Sequence, residues 1–221
     1  MESPQNIKKR LKSVNNINQI TKAMELVSAT KMRKSQQIAL DSRPYALAAL
    51  DLLANVSKLN YKAIPLLKKR KIENTLFVLV ASDKGLAGAF NSQLFRKFEQ
   101  FVRHPMSHNS GGEGKEMFVA VGEKTNSYLQ KKGVDIIKKF VHVGDFTTPE
   151  QVKPLADFLS EGYVQRKWDS VIVFSTHFRS ALRQESLTRN LLPIDFKSIK
   201  KTVKEIVPET GKFADLMREN K

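Results

Sequence analysis

The sequence predicts an α/β protein in which one very long N-terminal helix precedes a mostly parallel five-stranded sheet with helices on both faces. The helix is predicted because residues 4–57 contain no glycine and only one internal proline, Pro44. The sheet is predicted because three continuous apolar runs alternate with helical patterns farther along the chain. Strands that are apolar throughout are typical of parallel sheets covered on both faces.

The composition is that of a folded, strongly basic protein. The 221 residues include 38 Lys and Arg against 22 Asp and Glu, a net charge of +16, and 41% are hydrophobic, which excludes a wholly disordered chain. The absence of cysteine excludes disulfides, thiolate metal sites and a catalytic thiol. The longest apolar run, Leu76 to Ala81, is far shorter than the ~18 residues that span a bilayer. We therefore expect a soluble, cytoplasmic protein without direct membrane insertion.

The positive charge is concentrated in the N-terminal third. Residues 1–74 contain 15 Lys and Arg against 5 Asp and Glu. Such an excess attracts polyanions, so nucleic acid, anionic lipid and acidic protein surfaces all come into question as partners. The segment offers only two aromatic side chains, Tyr45 and Tyr61, on which bases could stack. A nucleic-acid-binding α/β protein with a basic helical arm is therefore an alternative that charge alone leaves open.

The N-terminal helix, assigned to residues 1–58, carries one narrow apolar stripe. Its members follow one another at steps of three or four residues: Ile7, Leu11, Val14, Ile17, Ile20, Met24 and Val27. This spacing is the pattern of a coiled-coil seam. A helix of about 54 residues would be ~80 Å long, so it cannot bury the stripe in one small domain. We expect the stripe to pack against another helix or another subunit, and the alternative is an ordinary core helix.

A basic linker at residues 59–74 leads to a Rossmann-like α/β domain assigned to residues 75–198. Its strands are expected at Thr75–Ala81, Met117–Val121 and Ser170–Phe174, with an edge strand at Val134–Val141 and a returning fifth strand at Ser186–Leu192. Its helices are expected at Asn91–Val102, Glu123–Lys132 and Pro149–Gly162. Between Arg103 and Lys115 the chain is rich in turn formers, which predicts a mobile surface loop. Residues 199–221 are expected to be the stub of a further helix.

The sequence shows no pattern of a catalytic, cofactor-binding or metal site. After the first predicted strand, Gly85 and Gly88 are spaced G-x-x-G, whereas a dinucleotide-binding loop needs G-x-G-x-x-G. We therefore expect no nucleotide there, but a strand-to-helix turn in which Asn91 or Ser92 caps the helix. The four histidines lie in no arrangement suited to zinc binding or to nucleophilic catalysis.

The segment IKKRLKSVNNINQITKAMELVSATKMRKSQ, residues 7–36, closely resembles the N-terminal helix of the gamma subunit of F-type ATP synthases. The family pattern is I-K-x-R-I-x-S-V-x-N-x-x-x-I-T-K-A-M-x-x-V-x-x-x-K-x-x-x-x-Q. The chain matches it without a gap at Ile7, Lys8, Arg10, Ser13, Val14, Ile20, Thr21, Lys22, Ala23, Met24, Val27, Lys31 and Gln36. The segment SDKGLAGAFN, residues 82–91, is similar to the second family signature, S-D-x-G-L-C-G-x-x-N, with Ala87 where many relatives have Cys.

The resemblance implies a central-stalk rotor subunit that holds no catalytic residue and binds no cofactor. Such a subunit couples rotation, driven by proton flow, to ATP synthesis on the beta subunits. The implied partners are the alpha, beta and epsilon subunits and the membrane c-ring, on the cytoplasmic side of the energy-coupling membrane. The family has a long returning C-terminal helix, of which this chain is expected to contain only the opening turns. By resemblance, subunit contacts are expected at Ile7, Lys8, Arg10, Val14, Ile17, Ile20, Thr21, Lys22, Met24, Val27, Lys31, Asp83, Gly85, Leu86, Gly88 and Asn91.

Overall fold

The computed structural model describes residues 3–41, 64–103, 115–180 and 183–195, together with the helical residues 44, 45, 48, 49 and 52. The chain divides into two compact units, Met1–Ala46 and Leu47–Lys221. The domain boundaries expected near residues 58, 74 and 198 stay predictions. The expected surface loop, at residues 104–114, and the expected helical stub at residues 199–221 lie outside the described residues.

Helix α1 spans Pro4–Asp41 in the first unit. Proline is well suited to its first position, because the amide hydrogen that proline lacks has no partner there. Ser3 precedes the helix, and its Oγ accepts a long hydrogen bond, 3.4 Å, from the amide of Asn6. The helix therefore begins where a serine cap followed by proline would place it. Pro44, the one internal proline of the predicted helix, is itself helical.

The second unit contains one five-stranded sheet in the order β3-β2-β1-β4-β5. The strands are β1 Asn74–Val80, β2 Lys115–Val121, β3 Ile136–Phe140, β4 Ser170–Ser180 and β5 Arg183–Leu192. All neighbouring pairs are parallel except β4 and β5, which are antiparallel. This is the strand order of a Rossmann-like sheet with a returning edge strand, so the predicted fold class is confirmed.

Three helices cover the two faces of the sheet. They are α2 Phe90–Arg103, α3 Glu123–Lys131 and α4 Pro149–Val164. Side chains alternate along β1, so that Leu76 and Val78 belong to the core cluster beneath α4. Phe77 and Leu79 belong to the cluster beneath α2 and α3. The sheet is therefore buried on both sides, as the continuous apolar runs predicted.

The last two strands are longer than the sequence indicated. Strand β4 pairs with β1 only at Ser170–Phe174, and its remaining residues pair with β5 alone. They form a two-stranded ribbon beyond the sheet. Residues 175–180, STHFRS, contain one apolar residue, Phe178, and none of the six is buried, so the continuous apolar run ends at Phe174.

A carboxylate joins helices α2 and α3. Glu99 of α2 accepts a hydrogen bond from the Tyr128 hydroxyl of α3, 2.8 Å, and lies 2.6 Å from the Lys132 ammonium. The Tyr128 ring stacks on Phe95 with centroids 4.0 Å apart. The hydrogen bonds from Lys132 and Tyr128 hold the pKa of Glu99 below its ordinary value, and burial raises the pKa of the Tyr128 hydroxyl.

We expect Glu99→Gln to make the free energy of unfolding less sensitive to a fall in pH. The contribution of Glu99 is full above its ordinary pKa of 4.5 and is lost as the pH falls through the lower folded value. The variant should unfold at lower urea than the wild type at pH 7, and the difference should shrink toward pH 3. Glu116→Gln, at an exposed glutamate of β2, is the control. An equal difference at both pH values would contradict the assignment.

Gly162 of α4 lies against the ring of Trp168, and we expect its substitution to disturb the core. A Cβ at Gly162 would lie 2.0 Å from Trp168 Cζ2, and the ring is fixed because its Nε1 donates to the Leu159 carbonyl. Gly162→Ala should lower the free energy of unfolding by about 1–3 kcal/mol, the typical cost of overpacking. Gly85→Ala is the control, since its Cβ would meet only the Lys124 side chain at 3.7 Å. Chemical denaturation of both variants measures the effect.

Candidate subunit-contact surfaces

The first candidate surface is the apolar stripe of α1, called here the α1 seam. Its members are Ile7, Leu11, Val14, Ile17, Ile20, Met24 and Val27, and each exposes between 45% and 61% of its surface. Soluble proteins rarely expose so many large apolar side chains in one continuous row. The alternative of an ordinary core helix is therefore wrong for the described part of α1.

The apolar series of α1 continues beyond Val27, the last residue of the seam as defined above. Ile38 stands seven residues beyond Lys31, which stands seven beyond Met24 and fourteen beyond Ile17, so all four share one heptad position. Ile38 is also exposed. The heptad spacing already indicates this continuation, but Lys31 interrupts the apolar series after Val27.

Helix α1, which carries the seam, is strongly basic. Helix α1 contains eight Lys and Arg against two acidic residues, a net charge of +6. The expected contact residues Lys8, Arg10 and Lys22 are exposed, and Lys31 is half-buried. A helix with this charge sets up a positive field that favours an acidic environment around the seam. The expected contact residue Thr21 differs from these, because its hydroxyl donates to the carbonyl of Ile17 at 2.9 Å and is engaged within the helix.

The second candidate surface is the loop of residues 82–89, called here the signature loop, which joins β1 to α2. Hydrogen bonds between Ser82 and Asn91 hold the two ends of the signature loop together. The Ser82 amide donates to Asn91 Oδ1 at 3.1 Å, and Asn91 Nδ2 donates to the Ser82 hydroxyl at 2.8 Å. Asn91 is the second residue of α2, and Ser92 Oγ donates to the Ala89 carbonyl. The expectation that Asn91 or Ser92 caps the helix was wrong, because Asn91 turns back to hold the loop.

Asp83 fixes the signature loop to the beginning of α3. Its Oδ1 accepts the amide of Glu123 at 2.9 Å, and the Ser82 carbonyl accepts the amide of Lys124 at 3.0 Å. A carboxylate is favourable there because the first amides of a helix carry partial positive charge. The chains approach closely at Gly122, where φ is +89° and a Cβ would lie 2.2 Å from the Ala81 carbonyl oxygen.

The position of Asp83 affects whether a nucleotide could bind at this edge of the sheet. Rossmann-like sheets bind nucleotides outside the carboxyl ends of their strands, with phosphate at a helix N-terminus. Here the Asp83 carboxylate already occupies the N-terminus of α3, and a phosphate would have to displace it against charge repulsion. Among the described residues, no group of three His, Asp or Glu is placed to hold a metal ion.

The signature loop presents Leu86 at its apex. Leu86 is 92% exposed and has a φ of +60°, which is uncommon for a residue with a branched side chain. Around it Gly85, Ala87 and Gly88 are exposed and small, so a partner could approach the backbone closely. The expected contact residues of this loop therefore differ in whether their side chains bond within the domain or are exposed at its surface. Asp83 and Asn91 hold the loop, whereas Leu86 is offered at the surface.

The described residues thus combine a long helix that carries an exposed apolar seam with a Rossmann-like domain in which the Asp83 carboxylate caps the N-terminus of α3. The chain belongs to the ATP synthase family, and its relatives are gamma chains. The family profile, described as ATP synthase, matches residues 3–219. The resemblance stated on residues 7–36 and 82–91 is thereby confirmed.

Two relatives and one solved structure illustrate the likeness. The chain is 33% identical to the ATP synthase gamma chain of Desulforamulus reducens, over 88% of this chain and 66% of the relative. It is 32% identical to that of Moorella thermoacetica, over 98% of this chain and 74% of the relative. A chain in the central stalk and c-ring structure of the Tetrahymena thermophila mitochondrial ATP synthase has the same fold, with a TM-score of 0.57, 23% identity, and coverage of 87% and 79%.

The chain spans just under two thirds of the first of these relatives. No helix within the described residues combines the length and the apolar character needed to cross a bilayer.

We expect Asp83→Ala to loosen the signature loop without unfolding the domain. Loss of the helix-terminal carboxylate should lower the free energy of unfolding by about 1 kcal/mol. Amide exchange at Glu123 should accelerate, because its acceptor is gone. Lys84→Ala, at the exposed neighbouring position, is the matched control and should leave both quantities unchanged. Unaltered exchange at Glu123 in the Asp83 variant would contradict the capping role.

Proposed function

We propose that this chain is the rotor gamma subunit of the central stalk of a proton-transporting ATP synthase, and that it carries no catalytic residue itself. In this function it couples rotation driven by proton flow to ATP synthesis on the beta subunits. The observation that carries the proposal is the α1 seam, which lies in register with the gamma-chain pattern and is exposed over its whole length.

The free energy available from covering the α1 seam is large. Burying seven large apolar side chains at ~1.5–3 kcal/mol each would contribute about 10–20 kcal/mol, an upper estimate because the unfolded chain already hides part of this area. The longer relatives extend beyond the region that this chain matches. We therefore propose that a returning helix, on this or a second chain, covers the seam as an antiparallel coiled coil.

The alpha and beta subunits are the proposed surroundings of α1. The positive charge of the helix supports this, because acidic loops on enclosing subunits would be attracted to it without being bound permanently. The residues proposed to lie in these contacts are those named from the resemblance, from Ile7 to Lys31 on α1. In the signature loop, Leu86 is proposed as the contacting side chain, with Gly85 and Gly88 allowing close approach.

The α/β domain is proposed to meet the epsilon subunit and the c-ring. The chain would then be a peripheral component on the cytoplasmic side of the energy-coupling membrane. The alternative of a nucleic-acid-binding arm rests on the net charge alone and predicts a different behaviour toward salt, because counterion release makes DNA affinity fall steeply as salt rises.

The test is co-expression of the chain with alpha and beta subunits from the same source, followed by purification at moderate salt. Ile17→Glu, on the α1 seam, should weaken assembly by about 10- to 100-fold, because loss of ~1.5–3 kcal/mol of apolar burial changes a binding constant by that factor. Asn15→Glu adds the same charge at an exposed position for which the family pattern specifies no residue, and it is the matched control. It should assemble like the wild type.

Two outcomes would contradict the proposal. One is equal weakening by both substitutions, which would mean that charge and not the seam governs assembly. The other is failure of the wild-type chain to co-purify together with tight, salt-sensitive DNA binding in a parallel assay, which would favour the nucleic-acid-binding alternative.

A further inference from the structure

The segment that leads into β1 is fixed to the domain although it is almost without regular structure. It comprises residues 64–73 and is called here the strap. Its only regular element is one 3-10 turn, Pro65–Leu67, in which Leu67 is buried. Connections of this kind are usually mobile. The strap instead makes polar contacts with residues more than 90 positions away in the sequence.

Arg70 is the central residue of the strap. Its Nη2 donates to the carbonyls of Tyr163 and Trp168, both at 2.7 Å, and its guanidinium carbon lies 4.2 Å from the centre of the Tyr163 ring. Its Nε is 2.7 Å from Asp169 Oδ1, although this N–H is not aligned for a hydrogen bond. The planar guanidinium therefore joins the end of α4 to the beginning of β4, which a lysine could not do with the same geometry.

Asp169 continues the connection to the strap's end. It is mostly buried, and its second oxygen accepts the amides of Glu73 and Asn74 at 3.1 and 3.0 Å. Farther up, the buried Tyr163 donates its hydroxyl to the Lys68 carbonyl at 2.8 Å. The strap is thus fixed at its middle by Arg70 and Tyr163, and at its end by Asp169.

The strap also binds the segment that follows β5. The Ile194 amide donates to the Leu66 carbonyl at 2.9 Å, and the Lys69 ammonium lies 2.9 Å from Asp195 Oδ1. The segments that precede β1 and follow β5 therefore lie side by side and are tied to one another.

We propose that Arg70 is a positioning residue for rotary coupling, and that it holds the strap rigidly on the α/β domain where the chain leads into β1. The inference rests on the proposed function. The covalent path from α1 to β1 runs through the strap, so a torque carried along that path has to cross it. A flexible connection would convert the torque into bending, whereas the Arg70 contacts oppose rotation of the strap about the amino end of β1.

The first experiment measures amide exchange in the full chain. In Arg70→Gln, exchange at Glu73 and Asn74 should accelerate about tenfold or more, since charge-assisted hydrogen bonds are the stronger class. The amides of Leu76–Leu79 inside β1 should be unchanged. Lys71→Gln removes the same charge from an exposed position, where the nearest carboxylate oxygen, of Glu73, is 3.4 Å away, and it is the matched control. Unchanged exchange in the Arg70 variant would overturn the proposal.

Tyr163→Phe is a second variant that keeps the ring and the core packing but removes the hydrogen bond to Lys68. It should accelerate exchange within the strap while the domain remains folded. It keeps the proposal testable if Arg70→Gln fails to fold.

The second experiment measures coupling in complexes containing the chain. ATP hydrolysis by the chain with alpha and beta subunits alone should be unchanged in both strap variants, because no torque has to reach the α/β domain. Proton-driven ATP synthesis by the complete complex should fall relative to Lys71→Gln. If the Arg70 variant synthesised ATP as fast as the Lys71→Gln control, the positioning role of Arg70 would be overturned. The proposed rotor function would not be affected by that result. If the wild-type chain fails to assemble, the proposed function itself fails, and the strap is then a structural feature only.

Discussion

Burial of strand β1 on both faces is the constraint on which the α/β domain depends. The side chains from Leu76 to Leu79 expose at most 1% of their surface, and the strand has a partner on each side. Because β1 lies in the middle of the sheet, whatever is fixed to its ends is fixed to the whole domain. The strap is held at its amino end, and the signature loop begins at its carboxyl end.

Two carboxylates perform related tasks at these two ends. Asp169 accepts backbone amides where β1 begins, and Asp83 accepts the first amide of α3 just beyond the point where β1 ends. In each case a buried or half-buried polar backbone group receives a charged acceptor, which is worth more than a neutral one in a partly desolvated position. Asp83 therefore stands at the kind of helix N-terminus where Rossmann-like sheets bind phosphate, and the signature loop beside it exposes Leu86.

The two units use apolar residues in opposite ways. In the α/β domain the apolar residues are inside, and the ring of Phe98 meets the rings of Phe77 and Phe174 edge to face. In α1 they remain exposed along the seam, next to a surplus of cations. Most helical stability in proteins comes from packing of the apolar face, and the seven seam residues have that face exposed. The exposed seam is therefore the observation on which the proposed contacts with other chains rest.

The sequence by itself determined the long helix, the α1 seam and the order of apolar strands, because these follow from local periodicity and from burial of both sheet faces. It also determined the family, because residues 7–36 and 82–91 carry distinctive patterns. Only the tertiary structure decided that Asn91 holds the signature loop, that β4 continues as a ribbon, and that Arg70 joins the strap to Tyr163 and Asp169. The side-chain contacts of Asn91 and Arg70 link residues that are 9 to 99 positions apart, and nothing in the local pattern of either partner specifies the other. The register of long-range packing places such side chains together, so they become visible only when the chain is folded.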